Sequence, residues 1–230
     1  ALPIYPIYAK GTGSSTQLTA TVNGTVGNDA VAWTSGNTNI AKVSGGKVTG
    51  VGAGTVTITA TSNGVSTSKS IQVKEPTIKL DRETANIYPP ATKTVTFTVT
   101  VNGVQGNSGV TWTSGNTKVA TVSNGKVTAV SKGTATITAK ANGKLAKAKV
   151  TVKDPYANVS PTSGTIKIGK TLQLTTNYAP ASTGTPSYSS SNKKVATVDS
   201  KGVVKGVKAG TATITVKVNG VTAKAEITVK

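Results

Sequence analysis

Val31–Val43 reads VAWTSGNTNIAKV, Val110–Val122 reads VTWTSGNTKVATV, and Pro186–Val198 reads PSYSSSNKKVATV. One sentence recurs three times in 230 residues, so the repetition is read before any local feature. Trp33, Trp112 and Tyr188 form one column, Asn37, Asn116 and Asn192 a second, and Val43, Val122 and Val198 a third. Further on, Gly54, Gly133 and Gly210 open the segments GTVTITATSNG, GTATITAKANG and GTATITVKVNG. The third copy has VDSKGVV where the second has VSNGKV, one extra residue at a place where a hairpin loop can absorb it. A period of about 77 residues is well above that of solenoid repeats, so each copy is long enough to be a domain.

Within a copy the hydrophobic period is two. Val95, Phe97, Val99 and Val101 alternate with Thr94, Thr96, Thr98 and Thr100, which predicts one strand with a dry and a wet face. Ala135, Ile137 and Ala139 repeat the pattern, as do Ala146, Ala148, Val150 and Val152 against Lys147, Lys149 and Thr151. Asn63-Gly64, Asn142-Gly143 and Asn219-Gly220 separate the last two strands of each copy. Asn-Gly supplies the positive φ that a two-residue type I′ hairpin needs. About seven short strands per copy, with no helical period, predict a small antiparallel sandwich. In the first copy Lys69 falls at the inward position of Ala148, which predicts a frayed or bulged strand end.

The same alternation gives the motif a physical role. Val31 with Trp33, Val110 with Trp112, and Pro186 with Tyr188 are expected to point inward. One large ring in the middle of a small sandwich supplies much of its core, since an aromatic side chain buries about 150–250 Å². TSGN and SSSN then read as polar turns whose Asn bonds local backbone. A ligand-binding aromatic platform is the competing reading, and the ring-plus-turn reading is preferred to it.

Composition points the same way. Hydrophobic residues make up 36% of the chain and aromatics 4%, too little for a single large core. Val and Thr suit half-buried pleated surface better than helix. No run of about 18 apolar residues occurs, so membrane insertion is not expected.

The combination of W-T-S-x-N-x-x-V-A-x-V, then G-x-V-T-x-V, then G-T-A-T-I-T-A resembles the bacterial immunoglobulin-like domain, group 2, three times over. The resemblance implies an Ig-like β-sandwich of a kind found in bacterial surface proteins (intimin- and invasin-like adhesins, S-layer proteins, cell-wall enzymes) and in phage structural proteins. It implies no catalytic residues and no cofactor. The third copy departs from the pattern with Tyr188 in place of Trp and with the longer loop APASTGTP. The expected fold is all-β: three tandem Ig-like antiparallel sandwiches in a semi-rigid string, at residues 1–75, 76–153 and 154–230. The joins VKEPT and VKDPY are short, and their Pro restricts φ.

The opening ALPIYPIY is unusually apolar. Leu2, Ile4, Tyr5, Ile7 and Tyr8 lie within eight residues that also hold two prolines. Two readings compete: an ordinary first strand with Pro on an edge, or an attachment peptide that docks on another structural protein chain. Ala1 suits removal of an initiator Met or of a signal peptide equally.

Twenty-six Lys and Arg against seven acids give a net charge of +19, divided +3, +9 and +7 among the three copies. Arg82 is the only arginine. Lysines on solvated strand faces that block edge-to-edge aggregation are the plain reading. Attraction to an anionic cell-surface polysaccharide is the sharper one. Specific nucleic-acid binding is not expected, for want of Arg forks and clustered aromatics.

With no His and no Cys, neither a triad nor a usual zinc site has its partners. Asp29, Glu75, Asp81, Glu83, Asp154, Asp199 and Glu226 sit mostly at turns and joins, so no catalytic pair, metal site or cofactor is expected. The function expected is therefore non-enzymatic: a structural or decorating protein on the exterior of a phage virion. The alternative is a bacterial cell-surface or S-layer-type adhesion and spacer module, extracellular in location.

Overall fold

A computed structural model of the chain describes residues 6–11, 13–22, 25–27 and 30–230, and every regular element among them is a strand. By contact density the chain falls into two units. One comprises Ala1–Glu83, Phe97–Thr113 and Thr138–Ala148; the other comprises Thr84–Thr96, Ser114–Ile137 and Lys149–Lys230.

In the first unit, Ile7–Tyr8, Val65–Lys74, Gly54–Ser62 and Ala32–Ser35 lie side by side in one sheet. Ser15–Gln17, Lys47–Gly50 and Ala41–Ser44 make a second sheet, and Ala20–Val22 pairs with Thr25–Gly27. Ile7, Ala41, Val48, Val56, Ile58, Ile71 and Val73 bury between the two sheets. From the second copy, Ile78–Leu80, Val99–Val101 and Val104–Gln105 form a small sheet in this unit.

The second unit repeats the plan in the third copy. Ser163–Ile166, Val221–Val229, Gly210–Val218 and Ser187–Ser190 form the larger sheet, and Thr171–Gln173, Val203–Gly206 and Ala196–Val198 the smaller. Tyr156–Ser160 pairs with Thr175–Ala179. Leu174, Ile214, Val216, Ala225 and Ile227 fill the core.

The Asn-Gly hairpins form as the sequence predicts. Asn63, Asn142 and Asn219 have φ of 49, 52 and 51°, and the following glycines 78, 78 and 80°. The extra residue of the third copy is absorbed in a loop around Asp199, whose carboxylate accepts from the backbone N–H of Lys201 and Val203, both at 2.8 Å. At Gly54, Gly133 and Gly210 φ is 148, 144 and 145°, and a Cβ there would sit 2.8–3.0 Å from Ile40, Val119 or Val195. The glycine column thus lets a nine-residue strand start against the apolar residue of the motif.

Several expectations are corrected. The sandwiches are not wholly antiparallel: Ile7, Thr84–Ile87 and Ser163–Ile166 pair in parallel with the last strand of their copies. Thr94 to Val101 is not one strand. Thr94–Thr96 joins the sheet of Lys126–Ala129, whereas Val99–Val101 joins Ile78–Leu80. Side chains hold the crossing: Asn107 Nδ2 donates to Phe97 O (3.0 Å), and Asp81 Oδ1 accepts from Thr98 N (3.1 Å). Such breaks raise the strand count to nine in the third copy, above the expected seven. Nor is the end carrying Lys69 frayed or bulged, since Val65 to Val73 stays in continuous register with Ser62 to Gly54. Lys69 is instead exposed, so a position that is core elsewhere opens to solvent.

Candidate interaction site on the first copy

The aromatic column lies on the flank of each core rather than at its centre. Trp33, Trp112 and Tyr188 are half-buried, while the fully buried large side chains are aliphatic, Ile58, Ile71, Ile137 and Ile214 among them, together with Phe97. Tyr188 Oη lies 2.9 Å from Thr176 Oγ1. The indole Nε1 atoms of Trp33 and Trp112 are buried without a hydrogen-bond partner. The TSGN segment is the turn expected of it. Ser35 and Ser114 Oγ donate to Ala41 O (2.7 Å) and Ala120 O (2.6 Å), and Asn37 Oδ1 accepts from Asn39 N at 3.0 Å. The repeated motif is thereby occupied by the packing of each copy.

Of the apolar opening, Leu2, Ile4 and Tyr5 lie outside the described residues. Ile7 is 3% exposed, part of the first core, and paired with Val73. Tyr8 is half-buried, and its N–H donates to Gly13 O at 2.9 Å. For Ile7 and Tyr8 the first-strand reading holds, and Ile7 has no free face for docking.

Every Lys and the one Arg is exposed. Among the described residues, ion pairs take up three of the acids: Asp81 with Arg82 at 2.8 Å, Glu75 with Lys144 at 2.8 Å, and Asp154 with Lys132 at 2.6 Å. Pairs this exposed contribute little stability, and they leave most lysines as uncompensated surface charge.

Sequence reasoning did not single out the least finished part of the molecule. Leu18, Ala20 and Lys69 stand where the second copy has Phe97, Val99 and Ala148 and the third has Leu174, Thr176 and Ala225. Phe97, Val99, Ala148, Leu174 and Ala225 are all buried, whereas Leu18 and Ala20 are half-buried and Lys69 is exposed. Beside them a cavity of about 380 Å³ is bounded by Leu18, Ala20, Trp33, Ile58, Ala60 and Lys69. It adjoins a second, of about 260 Å³, at Ala20, Ala60 and Thr67; Val22, Val31 and Val65 line that one. Val65 is 74% exposed.

The copies also differ in strand pairing here. In the second copy Val99–Val101 has Val104–Gln105 on one edge and Ile78–Leu80 on the other. In the third, Tyr156–Ser160 lies along Thr175–Ala179, with Val159 in the core. In the first, Ala20–Val22 pairs with Thr25–Gly27. Lys69 in an alanine column was the sequence signal of this opening.

Two-sheet strand sandwiches built on a repeated aromatic-turn motif define a tandem Ig-like protein. The chain belongs to the bacterial Ig-like domain family, group 2, whose model matches residues 5–73, 77–152 and 156–229. A 52-residue stretch is 54% identical to part of a 3-O-alpha-D-galactosyl-alpha-L-arabinofuranosidase of Bifidobacterium longum subsp. longum; it covers 22% of this chain and 5% of that protein. Among solved structures the chain is similar to the S-layer protein SbsC at 23% identity and a TM-score of 0.38, over 87% of this chain and 35% of that one. It is also similar to the three N-terminal domains of the Highly Immunogenic Outer Capsid protein of bacteriophage RB49, at 10% identity and a TM-score of 0.41, over 90% of this chain and 91% of that one.

Proposed function

We propose that the chain is a non-enzymatic structural module that displays Ig-like domains on the exterior of a phage particle, where its lysine-covered faces adhere weakly to anionic glycopolymers of the host surface. The observation that carries the reading is the division of labour within each copy. The repeated motif serves that copy's own packing, and all 26 cationic side chains are turned outward. Cationic strand faces keep edges from pairing indiscriminately and attract polyanions at long range. A bacterial cell-surface or S-layer-type spacer uses the same features and is the second reading, supported by the family's occurrence in bacterial surface proteins. Immunogold labelling of intact virions and of intact bacteria separates the two. Label on purified virions alone supports the first reading, and label on uninfected cells overturns it.

A further inference from the structure

We propose that the Lys10-Gly11 turn of the first copy and the Asn102 and Asn142 side chains of the second form a latch, which holds the first copy against the near end of the second independently of the covalent join. This goes beyond the display role, because it names what keeps a displayed domain in one orientation. Every residue of the latch belongs to the first unit. Asn102 is 6% exposed, and its Nδ2 donates to Lys10 O at 3.2 Å across 92 residues of sequence, while its Oδ1 is held by Thr77 N at 2.9 Å. Gly11, at φ of 80°, lies so close to Asn142 that a Cβ on it would overlap the Nδ2, Cγ and Oδ1 of that side chain. Lys144, on the same hairpin as Asn142, pairs with Glu75 of the join at 2.8 Å.

The third copy shows the same contact served from within. Asn219 holds the place of Asn142, and its Nδ2 donates to Pro180 O of that copy's own loop at 2.7 Å. Gly184 of the loop also has φ of 80°, and a Cβ there would overlap Asn219 Oδ1. A hairpin amide covered by a left-handed glycine is thus a recurring contact, since only glycine accepts both the φ and the approach. In the third copy the glycine comes from the same copy; in the second it comes from the first. Ala179 stands where the second copy has Asn102, so the bond to Lys10 has no counterpart there.

The join Glu75-Pro76 restricts two residues and leaves the dihedrals around them free. A second attachment away from the join removes that freedom. It works with weak contacts, because the tether keeps the turn and its receptor at an effective concentration of about millimolar.

The chain has no cysteine, so Thr57→Cys and Lys140→Cys, both exposed and both in the first unit, take spin labels specifically. A narrow distance distribution is expected in the full chain. Gly11→Ala, which drives a Cβ into the Asn142 amide, should widen it at least twofold. Asn142→Gly keeps the positive φ of the hairpin and removes the amide. It should widen the distribution as well, and make a further Gly11→Ala nearly silent. Gly184→Ala breaks the matching contact inside the third copy and should leave the distribution unchanged. Amide shifts of Val56 and Ile58 report whether the first copy keeps its fold; should Gly11→Ala disturb it, Asn142→Gly carries the test. Equal widths in the parent, Gly11→Ala and Asn142→Gly chains overturn the proposal, and so does equal widening by Gly184→Ala.

Discussion

Tyr188 and the two tryptophans share a sequence column and differ by one hydrogen bond. The Tyr188 hydroxyl has Thr176 as partner, whereas the buried indole N–H groups of Trp33 and Trp112 have none. A buried donor without a partner carries a desolvation cost, so a tryptophan here contributes area and not a polar contact. Tyr188→Phe is expected to cost about 1 kcal/mol in urea denaturation, because it strands the Thr176 hydroxyl. Trp112→Phe breaks no hydrogen bond and relieves that desolvation cost, so it should cost less than the lost contact area alone implies. Asn102 is the buried polar residue among those described, at 6% exposure, and it exchanges bonds with Thr77: its N donates to Thr77 O at 3.1 Å and its Oδ1 accepts from Thr77 N at 2.9 Å. Its Nδ2 also donates to Lys10 O at 3.2 Å. Asn102→Ala should therefore destabilise the first unit by about 2 kcal/mol, read from the denaturant midpoint at unchanged slope.

Strand starts and turns carry the next set of consequences. Gly133 combines φ of 144° with a Cβ position 2.8 Å from Val119 Cγ2. Gly133→Ala is expected to cost about 2 kcal/mol or more, since it adds backbone strain to a contact with a packed core side chain. Thermal unfolding of the variant, compared with alanine at an exposed strand position such as Thr134→Ala, isolates the effect. In the third copy Asp199 ties its loop with two 2.8 Å bonds, and Asp199→Asn keeps an acceptor whereas Asp199→Ala does not. The alanine variant should lose about 1 kcal/mol and show faster amide exchange at Lys201 and Val203, and the asparagine variant should lose less. The final strand of the first copy makes the contrast. Its register with Gly54–Ser62 is continuous, yet only Ile71 and Val73 are buried along Val65–Lys74.

Charge is a property of the entire chain. A net +19 with every cation exposed leaves attraction to polyanions governed by screening. The Debye length falls from about 30 Å at 0.01 M salt to about 8 Å at 0.15 M. Retention of the chain on isolated teichoic acid or lipopolysaccharide should accordingly drop steeply across that range in a pull-down. Retention that is indifferent to salt would point to a specific pocket and against the lysine faces.

Alternation, Asn-Gly pairs and a threefold motif made the strand content, the hairpins and the family legible from residues alone, because each rests on neighbours within a few positions. Period two marks the dry face, and positive φ marks the turn. Lys69 in an alanine column marked the opening too, but as an anomaly whose meaning needed the packed sheets. The parallel pairing of Ile7 with Val73, the break between Thr96 and Val99 and the flanking place of Trp33 were settled by tertiary structure. Each depends on which strand lies beside which across tens of residues. A repeat of apolar and polar positions says which face is dry, but only the packed sheets determine what covers it.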